Sequence, residues 1–264
     1  HRAAEDIALM KELGTNAYRF SLAWTRLLPE GTGRINRAGV DFYDRLIDRL
    51  LENGITPFVT LYHWDLPQVL QQKGGFLNPD IAEWFAEYVE AVKKLYGDRV
   101  KNFMTFNEPQ CILGCGYRLG VHAPGLKVSL KEQLLALHNL LRAHGAGAAV
   151  LRGIPGAGIG YASCGYTYAP ASEKKEDIEA AFERTFQFEK DNPLGTVASF
   201  SEPIFTGDYP KKFYEYGEDL LPKITQEDLK LISAPLDFFA LNIYEGKTVY
   251  GKEDGTIGEV APKT

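Results

Sequence analysis

The sequence is poor in several things that would assign a function quickly. Three cysteines, Cys111, Cys115 and Cys164, are too few and too odd in number for a disulfide framework. They read as free thiols in a reducing compartment, and the expected location is cytoplasmic. Cys111 and Cys115 form a C-x3-C pair with no second pair and no nearby histidine cluster. That pair is read as packing, so no metal and no cofactor are expected. There is no basic stripe to neutralise phosphates, and the net charge is −6, so nucleic acid is excluded as a partner. No run of about 18 apolar residues exists, which excludes a membrane-spanning helix. A G-x-G-x-x-G after a strand is missing, and so is a G-x-x-x-x-G-K, which leaves no dinucleotide fingerprint and no phosphate-cradling loop. The opening stretch, HRAAEDIALMKELG, lacks the charged and apolar regions of a signal peptide. It begins on His1 rather than Met, so upstream residues are expected to be missing.

What the sequence has is apolar and aromatic. Hydrophobic residues make up 45% against 24% charged, enough for a sizeable core. Aromatics at 12% serve a packed core first and the stacking of flat ligands or sugar faces second. Helices are predicted over 4–13, 38–52, 79–96 (with Asn78 as its cap), 129–152 and 175–190, with two short ones near 210–217 and 225–231. Between them lie strands at 16–24, 55–64, 101–107, 157–164 and 236–244, then a hairpin with an Asp-Gly turn. The segment 108–128 reads as a long connection and 193–210 as irregular. The strands are unbroken apolar runs, which implies a parallel sheet covered on both faces.

Ligands of such α/β sheets meet the carboxyl ends of the strands. Those ends are polar here. Arg19 lies on the first strand, which ends near Trp24. The second ends in Tyr62-His63-Trp64-Asp65, the third in Asn107-Glu108, and the last in Asn242 and Tyr244. The opposite ends hold only the Gly and Asp of ordinary turns. Hydroxyl-binding His and Asn, flat rings and a carboxyl group suit a sugar. Each also has a plainer reading. Glu108 could be an acid at a helix start, His63 a structural histidine, Arg19 the partner of a core acid, and Asn107 a turn cap. Trp24 and Trp64 stand equally as packing or as sugar platforms. His122, His138 and His144 read as structural.

The stretches YRFSLAWTRLLPEGTGRIN, FVTLYHWDLPQVL, KNFMTFNEP, GVHAPG, LHNLLRAHGAG and LDFFALNIYEG resemble glycoside hydrolase family 1, the β-glucosidase and β-galactosidase family. Y-H-W-D and T-F-N-E-P, in this order and at this spacing, carry most of the resemblance. It implies an α/β fold, a (β/α)8 TIM barrel, incomplete here at about five of eight units. Residues 1–264 would form a single partial barrel domain without its first strand and its last two. It also implies a retaining β-glycosidase acting on terminal β-D-glycosyl residues. Substrates would be of the cellobiose or aryl and alkyl β-glucoside type. By the same resemblance Glu108 is the general acid/base, and Asn107 binds the sugar 2-hydroxyl. His63 binds near the 3-hydroxyl, Trp64 and Asn242 line the subsite, and Arg19 and Tyr244 contact the nucleophile carboxylate. A retaining pair needs two carboxyls about 5–5.5 Å apart, one of them kept protonated by burial and by the charge of the other.

The second carboxyl is the difficulty. The family's I-T-E-N-G motif is absent, and the one E-N-G, in LLENGI, places Glu52 at a helix end on the wrong rim. Glu202, where the family usually has Asp, and Asp65 read as structural. Glu245 stands where the family usually has Thr or Ser and has a minor claim to the pocket. Phe103 and the stretch GTVASFSEP also depart from the usual Trp-containing forms. An inert fragment or a sugar-binding remnant is therefore the main alternative. A 6-phospho-β-glycosidase is a further one, and an endoglucanase with an N-E-P acid is a third that Y-H-W-D disfavours. An open five-strand sheet exposes two edges, so such a chain is expected to aggregate or to pair with the missing pieces.

Overall fold

The protein was analysed as a computed structural model, which describes residues 2–165 and 167–261. In chain order the elements are α1 (Ala3–Glu12), β1 (Ala17–Ser21), α2 (Trp24–Leu27), α3 (Arg37–Glu52), β2 (Thr56–Tyr62), α4 (Gln68–Gln72), α5 (Ile81–Tyr96) and β3 (Asn102–Asn107). A π-helical segment, Cys111–Arg118, follows, then α6 (Leu130–Leu151), β4 (Gly158–Cys164), β5 (Thr167–Pro170), α7 (Lys175–Phe186) and α8 (Ala198–Thr206). The chain continues through a 3₁₀ segment, Lys211–Tyr216, to α9 (Gln226–Ile232), β6 (Phe238–Asn242), β7 (Gly246–Gly251) and β8 (Ile257–Glu259).

Five strands form one parallel sheet in the order β1-β2-β3-β4-β6, so each new strand adds beside the last. Helices join them, as the long crossovers between parallel strands require. The sheet curls but stays open, with β1 and β6 as its edges. A smaller sheet, β5-β7-β8, contains the expected hairpin as β7 and β8, joined antiparallel, and β5 lies parallel to β7.

Sequence chemistry explains most of these elements. On α3, Val40, Tyr43, Ile47 and Leu50 fall at helical spacing and are buried. Ser129 and Glu132 close a capping box at the start of α6. The core under β2 and β3 is aromatic. Trp24 stacks on Tyr88 with centroids 4.9 Å apart, and Phe85 stacks on Phe106 at 4.7 Å. Helices α5 and α6 touch closely because residue 147 is glycine: a Cβ there would lie 2.5 Å from the Phe85 ring.

Several expectations need correction. The first strand stops at Ser21, and Trp24 starts a helical turn, with its indole N–H donated to the carbonyl of Gly31. Trp24 is fully buried, so it is core and not a sugar platform. Asn78 does not cap α5; its side chain accepts from the N–H of Asp80, two residues on, before the helix starts at Ile81. The connection after Glu108 contains a π-helical segment, and 198–206 is not irregular but helical despite Pro203. Long-range packing holds both.

Candidate active site

The four polar strand ends meet at one rim of the sheet. Glu108 sits just past β3, 4% exposed, with a backbone φ of 50°. That left-handed conformation costs a non-glycine residue about 1–3 kcal/mol and persists only where surroundings fix it. Three backbone bonds do so: Glu108 N–H donates to Ala162 O at 2.7 Å, while its own carbonyl accepts from Cys111 N at 2.9 Å and Ile112 N at 3.1 Å. The turn sends the side chain back over the sheet instead of along the departing chain. Trp64, just past β2, has the same kind of strain, with φ 82°. It is held by Tyr62, whose hydroxyl donates to the Trp64 carbonyl at 3.1 Å.

A polar network centres on this carboxylate. Asn242 Nδ2 donates to Glu108 Oε1 at 2.6 Å, and the Tyr244 hydroxyl lies 3.4 Å from the same oxygen. Asn242 Nδ2 also donates to Asn107 Oδ1 at 3.0 Å. Arg19 donates to Asn107 Oδ1, to Asn242 Oδ1 at 3.0 Å and to Thr60 Oγ1 at 3.0 Å. With Oδ1 of Asn107 occupied as acceptor, its Nδ2 faces His63 Nε2 at 3.2 Å. An amide nitrogen can only donate, so Nε2 accepts and the His63 proton belongs on Nδ1, beside Ser21 Oγ at 2.7 Å.

The electrostatics agree with that tautomer. Desolvation of the inner edge of His63, then the Arg19 charge, lowers its pKa and favours the neutral ring. Burial also lowers the pKa of Arg19, opposed by the charge of Glu108. The Glu108 charge raises the phenol of Tyr244, whose ring is otherwise open to solvent. Among the described residues, Arg19 reaches no carboxylate by hydrogen bond.

Arg19, His63, Asn107, Glu108, Asn242 and Tyr244 thus come together. Trp64 joins them differently. Its indole N–H donates to the Asn107 carbonyl at 3.0 Å, and its ring packs on His122 with centroids 5.1 Å apart. It lines a separate cavity of about 190 Å³. A larger cavity of about 610 Å³ opens beside the network, bordered by Glu108, Tyr244, Glu245, Cys111 and Cys164. Glu52 lies exposed at the end of α3, away from this rim. His138 bonds Tyr209 at 2.9 Å and His144 bonds Thr105 at 2.7 Å, both buried as structural residues.

Three participants escaped sequence reading. Ser21 had a signal, since it lies two residues after Arg19 and shares its strand face. Thr60 had one too, as a hydroxyl in the middle of an apolar strand. Gln110 had none. It donates to Ser163 Oγ at 2.7 Å and fastens the start of the π-helical segment to β4, a contact made 53 residues away in sequence.

The model of glycosyl hydrolase family 1 matches residues 1–262. The chain belongs to glycosyl hydrolase family 1. Beta-glucosidase A of Thermotoga maritima is 47% identical to it over 251 residues, covering 94% of this chain and 54% of that protein. The beta-glucosidase of an Agrobacterium species is 40% identical over 265 residues, covering 100% of this chain and 55% of that protein. A solved family 1 β-glucosidase from T. maritima, in complex with isofagomine lactam, superposes with a TM-score of 0.82 at 44% identity. That match covers 100% of this chain and 58% of the solved chain. The chain therefore spans a little over half the length of these family 1 relatives, and its curled sheet is a part of the family's (β/α)8 barrel.

Proposed function

We propose that this chain carries the acid/base half of a retaining β-glycosidase of the β-glucosidase type, with Glu108 as the general acid/base. The observation that supports it is one buried carboxylate at the carboxyl rim of the sheet, met by Asn242 and Tyr244, with Asn107 and Arg19 bonded in turn to Asn242. Asn107 and neutral His63 would hold sugar hydroxyls, and Glu108 would give its proton to the leaving oxygen and later take one from water. Arg19 and Tyr244 would steady a nucleophile carboxylate. Relatives named as β-glucosidases point to a β-glucoside as substrate, of the cellobiose or aryl β-glucoside kind.

A second reading rests on Arg19. Among the described residues its guanidinium reaches amides and a hydroxyl but no carboxylate, as in a sugar-binding half without a nucleophile. Incubating the chain with a nitrophenyl β-glucoside separates the two. Turnover that falls ~10²–10⁴-fold in Glu108→Gln supports the glycosidase. No turnover alone, with turnover restored by adding the remaining strands of a family 1 barrel, supports the half-site. No turnover in either mixture overturns the proposal.

A further inference from the structure

Spacing along the chain offers Cys111 and Cys115 as a pair, but the fold pairs Cys111 with Cys164 instead. Cys111 opens the π-helical segment three residues after Glu108, and Cys164 closes β4. Their sulfurs lie 3.7 Å apart and are not joined. Both sulfurs and one carboxylate oxygen of Glu108 fall within 4.8 Å of one another.

This spacing has a chemical meaning. A tetrahedral ion with metal–sulfur bonds of about 2.3 Å holds two thiolates about 3.8 Å apart. The sulfurs therefore stand at nearly the separation such an ion imposes. Two sulfurs and one oxygen select a soft or borderline cation over magnesium or calcium, which take oxygen ligands. The donors are held from several sides. Gln110, anchored to Ser163, places its Oε1 3.7 Å from Cys164 Sγ, and Asn242 fixes the Glu108 carboxylate. Cys111, Cys164 and Glu108 all border the 610 Å³ cavity, so an ion has an entry path and an open fourth position. Arg19 opposes a cation, yet its hydrogen bonds go to Asn107, Asn242 and Thr60 and leave the carboxylate free to ligate.

We propose that Cys111, Cys164 and Glu108 form an inhibitory site for a divalent cation of the zinc or cadmium class. Each bound ion displaces the two thiol protons, and the carboxyl proton where Glu108 holds one, and forms two metal–sulfur bonds and one metal–oxygen bond, so Glu108 can no longer donate a proton. Only the inhibition rests on Glu108 being the general acid/base; the binding does not.

The test uses the 264-residue chain, kept reduced by a phosphine. Titration with cadmium should raise the ultraviolet thiolate-to-cadmium band to saturation at one ion per chain, with zinc competing. Cys111→Ser and Cys164→Ser should each weaken binding at least ~100-fold, beyond the loss of an outer-shell partner. Cys115→Ser should leave it nearly unchanged. Absence of the band, or an equal loss in Cys115→Ser, overturns the site. If a variant does not fold, alkylation of the unaltered chain decides. Cadmium should protect Cys111 and Cys164 together while Cys115 still reacts, and equal protection of all three, or of none, overturns it. Neither readout needs turnover, so the site stands or falls apart from the glycosidase. Where turnover is present, cadmium that saturates the band without slowing hydrolysis overturns the inhibitory role.

Discussion

The middle and the far edge of the same sheet differ sharply. On β3, five of six residues are buried, and the strand is flanked by neighbours on both sides. On β6 no residue is fully buried, and Phe239, Leu241 and Ile243 are 37%, 48% and 48% exposed at or just past the strand. Phe182 and Phe205 are exposed on α7 and α8. Both strands are apolar in sequence. The difference is therefore one of neighbours, and it teaches that a carboxylate site can be assembled on the firm side while one supporting strand stands at an open edge. Glu108 and Asn107 belong to the buried middle and His63 stands exposed beside them, whereas Asn242 and Tyr244 reach in from the edge.

Truncation at matched positions tests the contrast most strongly. Phe106→Ala, in the aromatic cluster with Tyr62 and Phe85, should cost ~3–5 kcal/mol by urea unfolding. Leu241→Ala on the half-exposed edge should cost well under that, and equal losses would erase the distinction.

The pH dependence of the middle comes next. Burial lowers His144, behind β3, to about 4, against an ordinary value near 6.5. The folded protein thus holds it neutral while the unfolded chain binds a proton first. Its contribution is whole above about pH 6.5 and is lost as pH falls toward 4, by ~3 kcal/mol in all. Urea midpoints measured across that range should fall, and less so in His144→Gln.

Helix contacts behind the sheet sharpen the comparison further. A Cβ at Gly145 would lie 2.2 Å from the carbonyl of Leu231, backbone that cannot turn aside. Gly145→Ala should therefore cost ~1–3 kcal/mol, read as a lowered melting temperature. The smallest effect is expected at the edge. Leu241→Lys should change stability by no more than ~0.5 kcal/mol yet reduce aggregation measured by light scattering, because a charge blunts an exposed strand edge.

Much of the fold was legible because its signals are local. Unbroken apolar strands, helical stripes such as Val40, Tyr43, Ile47 and Leu50, and the Ser129 cap are each written within a few residues. So is the identity of the polar strand ends, since a parallel sheet brings the carboxyl ends of its strands to one rim. The π-helical turn, α8 and strand β5 were not legible, for they depend on partners far along the chain.

The sequence by itself determined the order of the βα units and which side chains stand at each strand's carboxyl end. Hydrophobic period and strand direction require nothing beyond near neighbours. Only the tertiary structure decided that Trp24 is core, that Trp64 serves the backbone of Asn107, and that Cys111, past the end of β3, faces Cys164 at the end of β4. Those outcomes depend on strand register and on the left-handed turn at Glu108, which are set by contacts between segments that spacing along the chain does not encode.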